Sequence, residues 1–260
     1  MKKLTAIIIL ITGILMISVL NFAQVREVFE LNIKDASVDT KVINKDNKFI
    51  EANLKIPVLI ISNKQMQSAI NKKIESDIIE FYNKSFKEAQ SYFNDFPEQE
   101  NQFAISSDFE VKKNTDKVFS ILIKYYIYSG GAHGIYEYVP YNIDLTSGKV
   151  FILKDIFKEN SKYQEVINEE IRKQIRDLNV KNNLPEDSTQ LYSFNGIKEA
   201  EKFYLEDDKI VVFFNLYDIA PYVAGIPEFS IGRDVVENIM SPNYVDTIFS
   251  TPITNKLSYR

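Results

Sequence analysis

The chain has 260 residues, 45% of them hydrophobic and 26% charged, with a formal net charge of −5. That length and composition suit a globular body with a sizeable core and exclude wholesale disorder. No dense Lys/Arg block appears, which argues against a nucleic-acid groove, and the lack of cysteine excludes disulfides and thiolate chemistry.

Lys2 and Lys3 precede an uncharged apolar run from Leu4 to Phe22, the pattern of an export signal. Residues 1–23 read either as a cleaved signal peptide or as an uncleaved N-terminal membrane anchor. The run is close to the ~20 residues that a spanning helix needs. Asn21 is a poor −3 residue for cleavage after Ala23. On both readings the rest of the chain is extracytoplasmic, anchored or secreted, and meets the membrane through this segment alone. Without residues 1–23 it carries 29 basic and 36 acidic residues, a net −7.

Residues 24–40 read as a tether. "FIEANLKIPVLI" (Phe49 to Ile60) first alternates and then turns continuously apolar, as a strand entering a core does. Met66, Ile70, Ile74, Ile78, Tyr82, Phe86 and Phe93 fall mostly four residues apart and predict a helix from about Lys64 to Tyr92. Ser62 with Gln65 reads as its capping box. "FAISSDFEVKK" and "KVFSILIKYYIYS" read as a hairpin around Asn114 to Asp116, with one clearly apolar face. A glycine corner and a strand "YEYVPYNIDL" follow.

"LKDIF" predicts a short helical turn. Tyr163, Ile167, Ile171, Ile175 and Leu178 form a second helical stripe, with Ser161 and Gln164 as its capping box. "AEKFYLEDDKIVVFFNLY" reads as a hairpin around Asp207 and Asp208. "IAPYVAGI" reads as a loop, "PEFSI" as a strand and "GRDVVENIM" as a short helix. Strands in runs, rather than in strict alternation with helices, predict an α+β fold of antiparallel sheets, each packed by a long helix. Two halves of similar plan, 41–130 and 131–240, are expected to form one compact body, because neither closes a core alone. Residues 241–260 read as a C-terminal tail.

One histidine and no cysteine leave no His/Cys zinc set. No Gly-x-Ser-x-Gly elbow and no phosphate-cradling glycine loop is present. No catalytic residue, metal or cofactor is therefore assigned. A carboxylate pair of the glycosidase kind stays open, because such pairs are set by space and not by sequence.

Two loops remain as candidates. Ser129-Gly130-Gly131-Ala132-His133-Gly134 reads either as a hairpin connection whose histidine caps a carbonyl, or as a backbone surface that another chain can approach closely. "LYDIAPYVAGIPEF" carries Pro221, Tyr222 and Gly225. It reads equally as a rigid aromatic knuckle for an interface or as a buried tyrosine filling a sheet edge.

"YSGGAHGIYEYVPYNIDLTSGKVFILKDIF", followed by a helix and then "KIVVFFNLYDIAPYVAGIPEFSI", resembles the extracytoplasmic region of RsiV-type anti-sigma factors. The same paired domains of unknown function precede the catalytic domain of PdaC-type peptidoglycan deacetylases. The likeness covers about residues 41–240. It implies a non-catalytic binding or sensor-like module for a wall-active protein such as lysozyme, or for a peptidoglycan fragment. Carried over residue by residue, it implies that Ser129, Gly130, Gly131, Ala132, His133, Pro221, Tyr222 and Gly225 face the partner. Only three residues precede the apolar run, so no cytoplasmic sigma-binding segment of the family's kind is expected. A deacetylase domain would need metal-binding histidines that one His cannot supply. A carbohydrate-acting hydrolase using a carboxylate pair is the alternative.

Overall fold

Strand β1 (Ser37–Asp46) pairs antiparallel with β2 (Ile50–Ile60). The structure, a computed structural model, describes residues 36–249. The leader or anchor, most of the tether and the last residues of the tail lie outside the described residues. Helix α1 (Lys64–Asp95) returns the chain to the starting end, so β3 (Phe103–Asn114) pairs parallel with β2. That crossover is the one departure from the expected all-antiparallel sheets. Strands β4 (Val118–Tyr128) and β5 (Ile135–Asp144) follow antiparallel and complete a five-stranded sheet in sequence order. After a 3-10 turn (Leu153–Ile156) and α2 (Tyr163–Lys181), strands β6 (Phe203–Leu205), β7 (Lys209–Phe213) and β8 (Glu228–Gly232) form an antiparallel three-stranded sheet. Two short helices, α3 (Arg233–Val236) and α4 (Pro242–Ile248), follow.

The layers stack as α1, large sheet, small sheet, α2. On one face of the large sheet, Ile50, Leu54, Ile56, Phe119, Ile121 and Ile123 meet Ile70, Ile74 and Ile78 of α1. Small residues at Ser85 and Ala89 let the helix lie close, and Phe81 stacks on Tyr125 at 4.3 Å. On the small sheet, Leu205, Ile210, Val212, Phe229 and Ile231 meet Ile167, Ile171 and Ile175 of α2. The two sheets face each other through Leu122 on one side and Tyr204, Val211 and Phe213 on the other. This compact α+β body has both faces of β4 covered. The expected single apolar face is corrected accordingly: Ser120 and Leu122, on the side read as less apolar, are buried too.

A polar network bridges the sheets. Ser120 Oγ donates to Asn142 Oδ1 (2.7 Å), Asn142 Nδ2 donates to the Phe203 carbonyl (2.8 Å), and the Leu205 N–H donates to Ser120 Oγ (3.0 Å). Each buried polar group finds its partner here, so the network fixes where β6 lies without leaving an orphan.

Several sequence expectations shift. The strand pairing puts β5 in the first sheet, so the break between sheets falls after Asp144 and not at residues 130/131. The tether of residues 24–40 and the start of the first half share β1. That strand is a charged, mostly exposed sheet edge and lacks the alternation that burial imposes. Helix α1 is capped by Asn63, whose side chain accepts from the Met66 N–H at 3.0 Å, instead of by Ser62 with Gln65. Helix α2 has no side-chain cap: Gln164 donates to the Ile197 carbonyl, and the Ser161 hydroxyl is buried without a partner. The segment read as a tail begins with α4, started by Pro242 and pinned by the buried Ile248. No helix among the described residues is long and apolar enough to cross a membrane.

Two outcomes follow from this core. Asn142→Ala strips partners from Ser120 and from the Phe203 carbonyl, and should lower unfolding free energy by about 1–3 kcal/mol in urea titrations with unchanged slope. Burial pushes the hydroxyls of Tyr125, Tyr141 and Tyr204 well above the ordinary tyrosine value of 10. The unfolded chain ionises first as pH rises. The stability these groups provide is therefore complete below pH 10 and should fall as pH climbs towards their folded values, which alkaline denaturation monitored by circular dichroism would reveal.

Candidate partner-binding site

The turn between β4 and β5 and the loop between β7 and β8 meet at one end of the body. In the turn, Gly130 (φ +87°) and Gly131 (φ +104°) adopt conformations that side chains rarely take, and Tyr128 Oη donates to the Gly131 carbonyl at 3.0 Å. Gly134 serves a different need: a Cβ there would lie 2.2 Å from the Tyr126 ring, which covers its backbone.

The second loop leaves β7 at Asn215. Asp218 Oδ2 accepts from the Asn215 N–H (2.8 Å) and the Asp218 N–H donates to the Asn215 carbonyl (3.1 Å), which forces Tyr217 to φ +69°. Pro221 starts a 3-10 turn over Tyr222–Ala224, and Gly225 (φ +70°) ends it. The Phe214 N–H bonds the Pro227 carbonyl at 3.0 Å and closes the neck.

Side-chain contacts join the loops to each other and to β5. The His133 ring stacks on Tyr222 with centroids 3.8 Å apart and planes 21° off parallel. Tyr222 Oη donates to the Gly134 carbonyl at 3.2 Å. Asn215 pairs with both main-chain groups of Tyr138 on β5, accepting from its N–H at 2.9 Å and donating to its carbonyl at 3.4 Å. Tyr217 lies beside this pair, with its hydroxyl 3.5 Å from His133 Nε2 and its ring tilted at 6.1 Å from Tyr222.

All eight residues singled out from the sequence lie at this end. Ser129, Gly130, Gly131, Ala132, His133 and Pro221 are exposed, whereas Tyr222 and Gly225 are partly buried. Tyr222 is held between the loops and is not a free anchor. The free apolar surface belongs to residues not singled out: Val223 is 85% exposed, and Tyr217, Tyr136 and Ile135 also face solvent. Tyr217 and Val223 lie inside the loop stretch read from the sequence, but only the turn geometry shows which side chains point outward. His133 does approach a carbonyl, that of Gly134 at 3.2 Å, and it belongs to the interloop stack as well. Among the described residues no group of three or more His, Cys, Asp or Glu is placed to hold a metal.

A depression of about 370 Å³ elsewhere gathers Glu110, Glu206, Asp207 and Asp208, together with Lys112 and Lys209. Glu110 there is not placed as the acid of a carboxylate pair. Glu110 is bound by Lys112 (2.8 Å) and Lys124 (2.5 Å), and those bonds hold its carboxyl below the usual range, the reverse of what a general acid needs.

Residues 43–136 match the family model described as deacetylase PdaC, and residues 154–234 match that of a protein of unknown function, DUF3298. The two matches stand in tandem, in the paired arrangement that the resemblance implied. The glycine turn lies in the first match and the Pro-Tyr loop in the second, so the site takes one loop from each. The chain is 28% identical over 211 residues to the anti-sigma-V factor RsiV of Bacillus subtilis, covering 75% of this chain and 67% of RsiV. It is 22% identical over 214 residues to the peptidoglycan-N-acetylmuramic acid deacetylase PdaC of the same organism, covering 81% of this chain. It spans about two thirds of the first relative and 43% of the second. Crystal structures of two DUF3298 proteins share the fold. The one from Bacteroides fragilis has a TM-score of 0.65 at 18% identity, over 83% of this chain and 97% of that one. The one from Pseudomonas aeruginosa has a TM-score of 0.57 at 19% identity, over 80% and 94%.

Asn215 is the residue that docks the second loop on β5. Asn215→Ala should speed hydrogen exchange of the Tyr138 amide about fivefold, as expected for losing a hydrogen bond worth about 1 kcal/mol, while the Ile74 amide in α1 keeps its rate.

Proposed function

We propose that the chain is a non-catalytic, extracytoplasmic binding module whose paired loops seat a wall-active protein of the lysozyme kind. The observation that carries this reading is the convergence of the two loops into one end surface: His133 stacked on Tyr222 with a tilted Tyr217 beside them, a protruding Val223 and two backbone-accessible glycines. Rigid aromatics with an apolar apex offer contact area at little entropic cost, the composition of an energetic centre in protein interfaces. The net −7 of the chain beyond residue 23 favours encounter with a basic partner, an advantage that falls with added salt.

The relatives agree in kind. One is named as an anti-sigma factor and the other as an enzyme of peptidoglycan, so a wall-related regulatory or binding role is common ground. With a single histidine and no cysteine in the sequence, binding is the simpler role for this end.

Calorimetry against lysozyme tests the reading. Wild type should bind. Val223→Asp should weaken binding more than tenfold, since a buried apolar anchor carries ~2 kcal/mol or more. Its melting temperature should stay unchanged, because the side chain protrudes. Tyr222→Ala should weaken binding by a similar factor by releasing the two loops from each other. No heat with wild type removes lysozyme as the ligand, and equal binding by Val223→Asp removes this end as the interface.

A further inference from the structure

Beside the paired loops runs a groove of about 410 Å³, lined by Tyr136, Tyr138, Leu216, Tyr222, Ile226 and Glu228. One wall is the outer edge of β5. In an antiparallel pair alternate residues turn their N–H and C=O groups away from the partner strand. On β5 the even positions do so: the Asn142 carbonyl accepts from the Phe151 N–H, and the Asp144 N–H donates to the Lys149 carbonyl. Pro140 has no N–H to offer. Tyr138 has both groups taken by the Asn215 amide. Beyond the strand end, the Gly134 carbonyl accepts from Tyr222 Oη. Tyr136 is left. Its outward N–H and C=O have no partner among the described residues, and Tyr136 lines the groove.

The opening is one residue long and blocked on both sides. An added β-strand needs pairing sites in succession along an edge. A single secondary amide needs only one. The molecule shows the fit two residues away, where the Asn215 amide donates and accepts at Tyr138 at once. The side walls complete the chemistry: Tyr136 is 44% exposed, and Tyr138 and Tyr222 are partly exposed. Such ring faces pack against the C–H faces of a pyranose, while the exposed Glu228 accepts from hydroxyls.

The geometry points to this groove as a subsite for an N-acetylhexosamine, its acetamido group paired with the main chain of Tyr136 and its ring against the tyrosines. The inference rests on reading this end as the binding face of a wall-related module, and it adds a glycan ligand to that face.

The test is a nuclear magnetic resonance titration of the ¹⁵N-labelled full chain, without lysozyme, using the trimer of N-acetylglucosamine and its fully de-N-acetylated counterpart. The acetylated trimer should shift the Tyr136 amide along a saturating curve, and the de-N-acetylated trimer should not. Tyr136→Ala keeps the backbone pair and loses the ring, and should weaken binding about tenfold. Ile226→Trp should fill the groove and abolish the response while the Tyr138 amide keeps its position. Equal responses to both sugars, or no shift at Tyr136, overturn the subsite. A response only to an extended peptide, running along β5, would also overturn it. Calorimetry with lysozyme on the same variants separates the two readings: lysozyme binding without a sugar response removes the subsite alone, and a sugar response without lysozyme binding removes the protein partner alone.

Discussion

Ten consecutive residue pairs join β4 to β5, and the rest of the molecule is arranged around that hairpin. Its turn is the glycine loop. Its even face supplies Ser120, Leu122 and Asn142, which receive the small sheet. Its odd face supplies Phe119, Ile121, Ile123, Tyr141 and Ile143 to the core under α1. Its free edge receives Asn215 and the loop that follows β7. A slip of β5 by one residue against β4 would place Asn142 under α1 and turn Tyr141 and Ile143 toward the small sheet. Register, layer order and site are consequences of one pairing.

Side-chain amides recur as clasps around this frame. Asn71 on α1 pairs with the Leu59 N–H and carbonyl, both at 2.8 Å. Gln174 on α2 does the same at Ser230, at 3.3 and 2.8 Å. Asn215 does it at Tyr138. An amide carries a donor and an acceptor at the spacing of a peptide group, so each extends a strand by one residue without adding a strand. On β8 and β5, which are sheet edges, the same device occupies main-chain groups that would otherwise invite another chain. The first two clasps hold helices. The third holds the loop that completes the site.

How much of this was legible in the sequence depends on the range of the physics involved. Four-residue stripes placed both long helices, because helical periodicity is local and strong at Ile70, Ile74 and Ile78 and at Ile167, Ile171 and Ile175. Apolar runs placed β2, β4 and β7. Edge strand β1 was not read as a strand because an exposed, charged edge lacks the pattern that burial imposes. The cap of α1 was missed by one residue, since Ser62 and Asn63 are both good caps and tertiary context chooses. The parallel β2–β3 pair and the second covered face of β4 are relations between distant segments. The convergence of the loops is the extreme case: His133 and Tyr222 stand 89 residues apart in sequence, and no local signal links them. The resemblance carried those eight residues to one surface. It did not distinguish Tyr222, which holds the loops together, from Tyr217 and Val223, which face outward.

The backbone at this end is held where chains seldom rest. Gly130, Gly131, Tyr217 and Gly225 all have positive φ, and for Tyr217 that conformation is uncommon for a residue with a side chain. Such conformations persist when their surroundings over-determine them. The surroundings here are the Asp218 bonds to Asn215, the Asn215 clasp on β5 and the Tyr222 hydroxyl on Gly134. The first is local to the turn, and the other two bridge segments that only the assembled sheets bring together. On the proposed reading, a surface fixed in this way would lose little conformational freedom when a partner arrives, so more of the contact energy would remain as affinity. The first matched region supplies the glycine turn, the second supplies the ring-bearing loop, and the clasp spans the boundary between them. Neither matched region alone would bring the two loops together.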